Sequence, residues 1–227
     1  MNVPATTATP ACAPAPHPAQ YSPVEELANA ITGGVGLVLS IVGLAVLVTL
    51  AAVYADAWAV TAAAVYGTTL IVGYATSTLY HAVRNPRRKL VLRKWDHAAI
   101  FALIAGTYTP ITLVNLRGPW GWTLFGVIWG LAVAGIVMKI WFTGRFIKLS
   151  TAIYVAMGWM VVVAAKPMLS GVVPRVSLWL LLAGGLCYTG GAIFYMQKKL
   201  PFHHAVWHVF ILAGSITHWL AILFAVT

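Results

Sequence analysis

The sequence predicts an all-α integral membrane protein that folds as a bundle of seven transmembrane helices. Of its 227 residues, 61% are hydrophobic and only 8% are charged, whereas soluble domains carry about a quarter charged residues. The chain contains seven apolar segments, and a stretch of roughly 20 such residues crosses a bilayer as a helix. The connections between the segments are short, which suits an antiparallel helical bundle.

The apolar segments define the expected spans and domains. We expect the spans at residues 31–53, 57–82, 97–116, 120–142, 149–167, 176–196 and 205–226. Residues 1–22 are rich in proline, alanine and threonine and show no apolar period, which is typical of a disordered tail. From Ser22, a capping serine, a proline and two acids predict a short interfacial helix. This helix opens the membrane domain at residues 23–227.

Basic residues predict the orientation of the bundle. If successive spans alternate in direction, eleven lysines and arginines fall on one face of the membrane and three on the other. The positive-inside rule then places the N-terminus in the cytoplasm and the C-terminus outside, in the cell (inner) membrane. Such loops explain the formal charge of +10, and nucleic acid is not an expected partner. The basic loop at residues 84–94 is expected to set topology and to attract anionic lipid headgroups.

Two histidines at the start of the last span have the spacing of a metal-binding pair. His204 and His208 lie four residues apart, so in a helix they share one face, about 6 Å apart between Cβ atoms. In the predicted orientation, span 2 ends with His81 and span 3 begins with Asp96 on the same face of the membrane. Ionisable groups at a membrane boundary are costly and are therefore functional candidates. The sequence predicts a metal site formed by His81, His204 and His208.

The predicted ligand set favours catalytic zinc. Three histidines leave one coordination position open, whereas structural zinc usually has four protein ligands. Imidazole argues for zinc over magnesium or calcium, although it also suits iron, copper and nickel. Zinc lowers the pKa of a bound water to about 7. Asp96 could hold this water, act as the general base, or orient a histidine.

Ser77 and the other histidines have more than one interpretation. Ser77 lies one helical turn before His81 and could donate a hydrogen bond to the water or to a carbonyl oxygen under attack. Its hydroxyl could equally bond to its own helix backbone. His97 points roughly 100° away from Asp96 on a helix. His203 is one residue off the spaced pair, and His218, near the middle of the last span, is expected to be a satisfied buried histidine.

Four sequence motifs together resemble the hemolysin III family. The segments S-T-L-Y-H at 77–81 and H-A-V-W-H at 204–208, with Asp96 between them, look like that family's three motifs. E-E-L-A-N-A-I-T at 25–32 is similar to its N-terminal motif, which carries Glu26 and Asn29. The family belongs with the progestin and adipoQ receptors. One departure is Gly33, where the family often has a histidine.

The resemblance implies a fold, a cofactor and an activity. It implies seven helices with the N-terminus inside, zinc held by His81, His204 and His208, and Asp96 near the zinc-bound water. The related adiponectin receptors and alkaline ceramidases suggest hydrolysis of an amide bond in a sphingolipid- or ceramide-like substrate. We therefore expect a zinc-dependent hydrolase of a lipid amide or ester.

Two other functions remain open. The first is a non-enzymatic sensor or regulator of membrane lipid or energy homeostasis, in which zinc is a structural clamp. The second, a pore-forming cytolysin, fits poorly because a secreted pore former must be soluble before it inserts, and a chain this apolar offers no soluble form.

Overall fold

The protein is a bundle of long helices in a computed structural model that describes residues 21–142 and 146–227. Among these residues, seven helices are long and apolar enough to cross a membrane, which confirms the predicted fold class. They are α1 Pro23–Tyr54, α2 Ala57–Ala82, α3 Pro86–Asn115, α4 Pro119–Phe142, α5 Ile147–Val172, α6 Arg175–Met196 and α7 His203–Val226. The predicted disordered tail lies outside the described residues except for its last two residues.

Two helices begin earlier than the hydropathy pattern indicated. The Ser22 hydroxyl accepts a hydrogen bond from the Glu25 amide (3.2 Å), and the Glu25 carboxylate accepts one from the Ser22 amide (2.9 Å). This capping box starts a helix that continues without a break into the first span. Asn85 caps α3, so residues 86–94 of the predicted basic loop form its first turns. The loop prediction was wrong there because Asn85 and Pro86 supply a helix start that does not depend on hydrophobicity.

The first and last helices of the bundle pack against each other. α1 packs against α2 and α7, α2 against α3, α3 against α4, and α6 against α7, whereas α5 contacts its neighbours sparsely. Small residues allow the closest approaches. At Gly36 of α1, for example, an added Cβ would overlap the ring of Tyr74 on α2.

α5 is interrupted in the middle, and a tyrosine from α3 satisfies the backbone groups that the break releases. A 3₁₀ turn occupies Met160–Ala164. The Tyr108 hydroxyl donates to the carbonyl oxygens of Met157 and Gly158 (2.8 Å to each) and accepts from the Val161 amide (2.8 Å). Irregular backbone inside a membrane needs such internal partners, because lipid offers none.

Candidate metal centre

The three predicted histidines converge at one end of the bundle. His81 comes from the last turn of α2, and His204 and His208 come from the first turns of α7. The Nε2 atoms of His81 and His204 lie 3.1 Å apart, and one nitrogen from each of the three rings lies within 4.8 Å of the others. All three residues are buried, with exposed fractions of 3%, 5% and 5%. The cluster therefore has the composition, spacing and burial to hold a metal ion.

Residues 21–32 contact the Nδ1 atoms of all three rings, on the side away from the centre of the cluster. Each Nδ1 atom contacts a side chain at the start of α1 or immediately before it: Glu26 for His81 (2.7 Å), Thr32 for His208 (2.9 Å) and Tyr21 for His204 (3.0 Å). In metal sites, partners of this kind fix the tautomer and the orientation of the ring. The contacts leave the Nε2 atoms to face one another.

The chemistry of these partners fits a cation at the centre. A carboxylate only accepts, so His81 carries its hydrogen on Nδ1. Thr32 donates its own hydrogen to carbonyl oxygens of α1 (2.9 and 3.0 Å), so it accepts from Nδ1 of His208. The Nε2 atoms of His81 and His208 are therefore bare acceptors. Burial raises the pKa of the Tyr21 hydroxyl above its usual range, so Tyr21 stays neutral and can accept from His204. Neutral imidazoles with free Nε2 lone pairs are the donors that zinc prefers.

Glu26 connects the histidine cluster to the basic start of α3. While one of its oxygens accepts from His81, the other lies 2.9 Å from Nζ of Lys89. Lys89 also donates to the Tyr80 carbonyl oxygen (3.0 Å). The neighbouring Glu25 instead fixes the start of α7, because its Oε1 accepts from the Phe202 amide (3.0 Å). The two acids therefore position α2 and α7 from the same turn of α1.

Asp96 and Ser77 lie beside the cluster but outside it. The Ser77 hydroxyl is 3.5 Å from Nε2 of His208. Asp96 is buried and is not among the residues whose ligand atoms lie within 4.8 Å of one another. Both residues line the same cavity as His204 and His208. This arrangement places Asp96 next to the cluster and not among its three potential ligands.

The remaining described histidines take no part in the cluster. Nδ1 of His97 donates to the Arg93 carbonyl oxygen (2.8 Å), and Nδ1 of His203 donates to that of Leu200 (3.1 Å). His218 donates through Nε2 to a backbone carbonyl, but its buried Nδ1 has no hydrogen-bond partner among the described residues. The expectation of a fully satisfied His218 was therefore wrong for that atom.

A cavity of about 180 Å³ extends from the cluster between α2, α3, α5, α6 and α7. Near the cluster its wall carries Ser77, Asp96 and His208, and further along the wall becomes mostly apolar, with Leu103 and Ile104 of α3 among its residues. A site that joins a few polar groups to an apolar cavity is typical of small-molecule pockets.

Comparison with known proteins identifies the family. A family model described as Haemolysin-III related matches residues 21–219. The chain belongs to the haemolysin-III family. Hemolysin-3 of Bacillus cereus is 48% identical over 202 residues, which cover 89% of this chain and 92% of that protein. The Hemolysin-3 homolog of Bacillus subtilis (strain 168) is 46% identical over 200 residues (88% and 93%). Human Monocyte to macrophage differentiation factor is 28% identical over 216 residues (92% and 88%).

Membership in the haemolysin-III family confirms the resemblance inferred from the motifs, and the structure explains the departure at Gly33. An added Cβ at Gly33 would lie 2.9 Å from Oγ1 of Thr78 on α2. A larger side chain at this position would push the two helices apart. In this haemolysin-III protein, position 33 is therefore a close helix contact instead of a polar group.

Replacing Glu26 by glutamine is expected to weaken zinc binding about 10- to 100-fold, the usual effect of losing such a partner of a ligand. Both carboxylate oxygens accept, one from His81 and one from Lys89, and an amide can accept at only one of its two ends. Competition for zinc between the protein and a chelator of known affinity measures the change.

Glu25→Gln is a matched control for this experiment. Glu25 also accepts at both oxygens, but from the Ser22 and Phe202 amides and not from a histidine. Its replacement removes no partner of a histidine, so it should lower zinc affinity less than Glu26→Gln does. Equal affinities in Glu25→Gln and Glu26→Gln would contradict the role assigned to Glu26.

Proposed function

We propose that this protein is a zinc-dependent hydrolase that cleaves an amide or ester bond of a lipid taken from the bilayer. The observation that carries the proposal is the buried cluster of His81, His204 and His208 next to Asp96, Ser77 and an apolar cavity. Three protein ligands are the number typical of catalytic zinc sites, and structural sites usually have four.

His81, His204 and His208 would hold the ion through their Nε2 atoms. When bound, zinc supplies a Lewis acid and a water molecule that ionises near neutral pH. Each ring keeps its orientation through its Nδ1 contact with α1 or Tyr21. The chain thus contributes a rigid ligand set whose tautomers are already fixed.

Asp96 and Ser77 have separate tasks in this proposal. The Asp96 carboxylate is the general base: it takes a proton from the attacking water and returns it to the leaving nitrogen or oxygen. The C–N or C–O bond breaks as the new C–O bond forms, which releases a fatty acid and an amine or alcohol. The Ser77 hydroxyl donates a hydrogen bond to the carbonyl oxygen as negative charge develops on it.

The shape of the site supports a membrane lipid as substrate. The apolar part of the cavity suits a hydrocarbon chain, and the polar part lies at the end of the bundle where α2 ends and α7 begins. Because α5 contacts its neighbours sparsely, its sides offer the shortest way for a chain to enter from the bilayer. A ceramide-like lipid, with one acyl amide and long chains, matches both parts.

Removal and return of the metal test this function. The zinc-loaded protein in lipid nanodiscs should release fatty acid from ceramide-like amides or from lipid esters. Treatment with a chelator should reduce the release to that of empty nanodiscs, and zinc but not magnesium should restore it, because imidazole ligands suit zinc. The proposal fails if neither lipid class is cleaved above background, or if chelation changes nothing.

We also propose that the site faces the cytoplasm, where the basic residues 84–94 would contact anionic headgroups. The support is the excess of lysine and arginine in connections at the histidine end of the bundle. A reporter fused to the C-terminus should then be active only outside the cytoplasm. A reporter active in the cytoplasm of whole cells would reverse the orientation.

The three Nδ1 contacts also favour one alternative, a non-enzymatic sensor in which zinc is a clamp. Zinc at the cluster would join α2 and α7 to the segment at residues 21–32. Such a clamp requires no substrate. A zinc-loaded protein that cleaves no lipid but unfolds at lower temperature after chelation would support this alternative.

A further inference from the structure

The cavity extends well beyond the histidine cluster along one face of α7. Its wall includes His204, His208, Ile211 and His218, which recur at intervals of three, four or seven residues as one side of a helix does. His218 follows His208 by ten residues, which corresponds to about 15 Å along a helix. A chain with its carbonyl group at the cluster could therefore extend to His218.

His218 presents an unused hydrogen-bond acceptor at this depth. Its Nε2 lies 3.0 Å from the Leu181 carbonyl oxygen, and a carbonyl can only accept, so Nε2 carries the hydrogen. Nδ1 is then a bare lone pair. Nδ1 is buried and has no partner among the described residues, and no other cavity-lining residue described has a buried side-chain polar atom in that condition.

Several polar groups of the cavity wall bond to neighbouring side chains and not to His218. The Tyr188 and Tyr74 hydroxyls both bond to Oγ of Ser215 (3.0 and 2.9 Å), and Trp159 donates to Thr189 (2.9 Å). None of these groups lies within hydrogen-bond distance of Nδ1. A buried acceptor without a donor is destabilising relative to a paired one. What His218 lacks is a hydrogen-bond donor within reach of Nδ1.

We infer that the cavity binds a lipid whose hydrocarbon chain carries a hydroxyl group, which donates to Nδ1 of His218. The apolar walls accept the chain, and the single unpaired acceptor selects a chain with one donor at the matching depth. The inference rests on the proposed function to the extent that a lipid chain occupies this cavity, but it does not require hydrolysis.

Binding of hydroxylated and plain fatty acids tests the inference. Radiolabelled stearic acid is bound to the zinc-loaded protein in nanodiscs and displaced by unlabelled stearic acid or by positional isomers of hydroxystearic acid. A mid-chain hydroxyl should strengthen binding about five- to tenfold over stearic acid, the size of one net hydrogen bond. The α-hydroxy isomer, whose donor lies beside the carboxyl group, should show no such gain.

Substitution of His218 should remove the preference without removing binding. In His218→Phe, the mid-chain isomer and stearic acid should bind within about twofold of each other. His218→Asn, which retains a polar atom near the position of Nδ1, should keep part of the preference. Zinc content equal to that of the unmodified protein verifies that both variants are folded, since the cluster lies at the other end of the cavity.

The possible outcomes separate this inference from the proposed function. Equal binding of all isomers to the unmodified protein would overturn the inference, would assign Nδ1 to an ordinary water molecule, and would leave hydrolysis untouched. Retention of the full preference in His218→Phe would overturn it as well. Failure of every fatty acid to bind would overturn the inference, and the cleavage assay would still decide the proposed function by itself. Binding with the expected preference but without lipid cleavage would support the inference and count against the hydrolase.

Discussion

Replacing His204 and His208 together by alanine is expected to abolish zinc binding. The change removes two of the three clustered ligands and leaves only His81, and a single imidazole cannot replace a coordination set of three or four protein ligands. Elemental analysis of the purified protein should therefore fall from about one zinc per chain to none. Loss of zinc should be complete even at zinc concentrations that saturate the unmodified protein.

His203→Ala is the control for this pair. His203 is also buried and adjoins His204, but its Nδ1 donates to the Leu200 carbonyl oxygen and it is not part of the cluster. It should retain zinc. Equal zinc content in His203→Ala and in the double variant, with both eluting as the unmodified protein does in size-exclusion chromatography, would show that the ion is bound elsewhere.

Asp96→Asn is expected to lower the rate of lipid hydrolysis about 10²- to 10⁴-fold while zinc remains bound, the usual contribution of a general base. Asparagine has nearly the shape of aspartate but cannot accept the proton of the attacking water. Zinc should remain because Asp96 is not one of the clustered ligands. The rate of fatty acid release from the best substrate, with zinc content measured on the same sample, tests both parts.

The same experiment distinguishes a general base at Asp96 from a fourth zinc ligand. If Asp96→Asn loses zinc together with activity, the carboxylate is a fourth ligand and the clamp becomes the better model. If it keeps both zinc and full activity, Asp96 is not the base. Ser77→Ala supplies a comparison, because loss of an oxyanion donor should cost about 10²- to 10³-fold without affecting zinc.

Sequence reasoning could find the ligands because they depend on simple periodicities. The spacing of His204 and His208 requires only the helical repeat, and the placement of His81 at the same end of the bundle requires only the order of spans. The residues at which the helices start were harder to predict. The start at Ser22 was predicted from its capping residues, whereas the cap at Asn85 was missed, because a cap depends on local side-chain hydrogen bonds that hydropathy does not detect.

The partners of the ligands could not be found by periodicity. Tyr21 fell within the predicted tail, and Thr32 resembled any other threonine of an apolar span. Their contacts with His204 and His208 join residues more than 170 positions apart. Such contacts depend on how α1 is rotated against α7, which is decided by packing. Glu26 was noticed only through the family motif, and its double contact with His81 and Lys89 was not anticipated.

The Nδ1 contacts also link metal binding to the final step in assembly of the bundle. The residues that orient the rings lie at 21–32, in α1 or just before it, and two of the three ligands belong to α7. The ligand set can therefore reach its final orientation only when the whole chain is in the membrane. By reciprocal linkage, an ion that prefers the oriented ligands must stabilise the contact between the first and last helices by the same factor. Metal occupancy would then report that assembly is finished, and a truncated or misinserted chain would be recognisable by its failure to retain the ion.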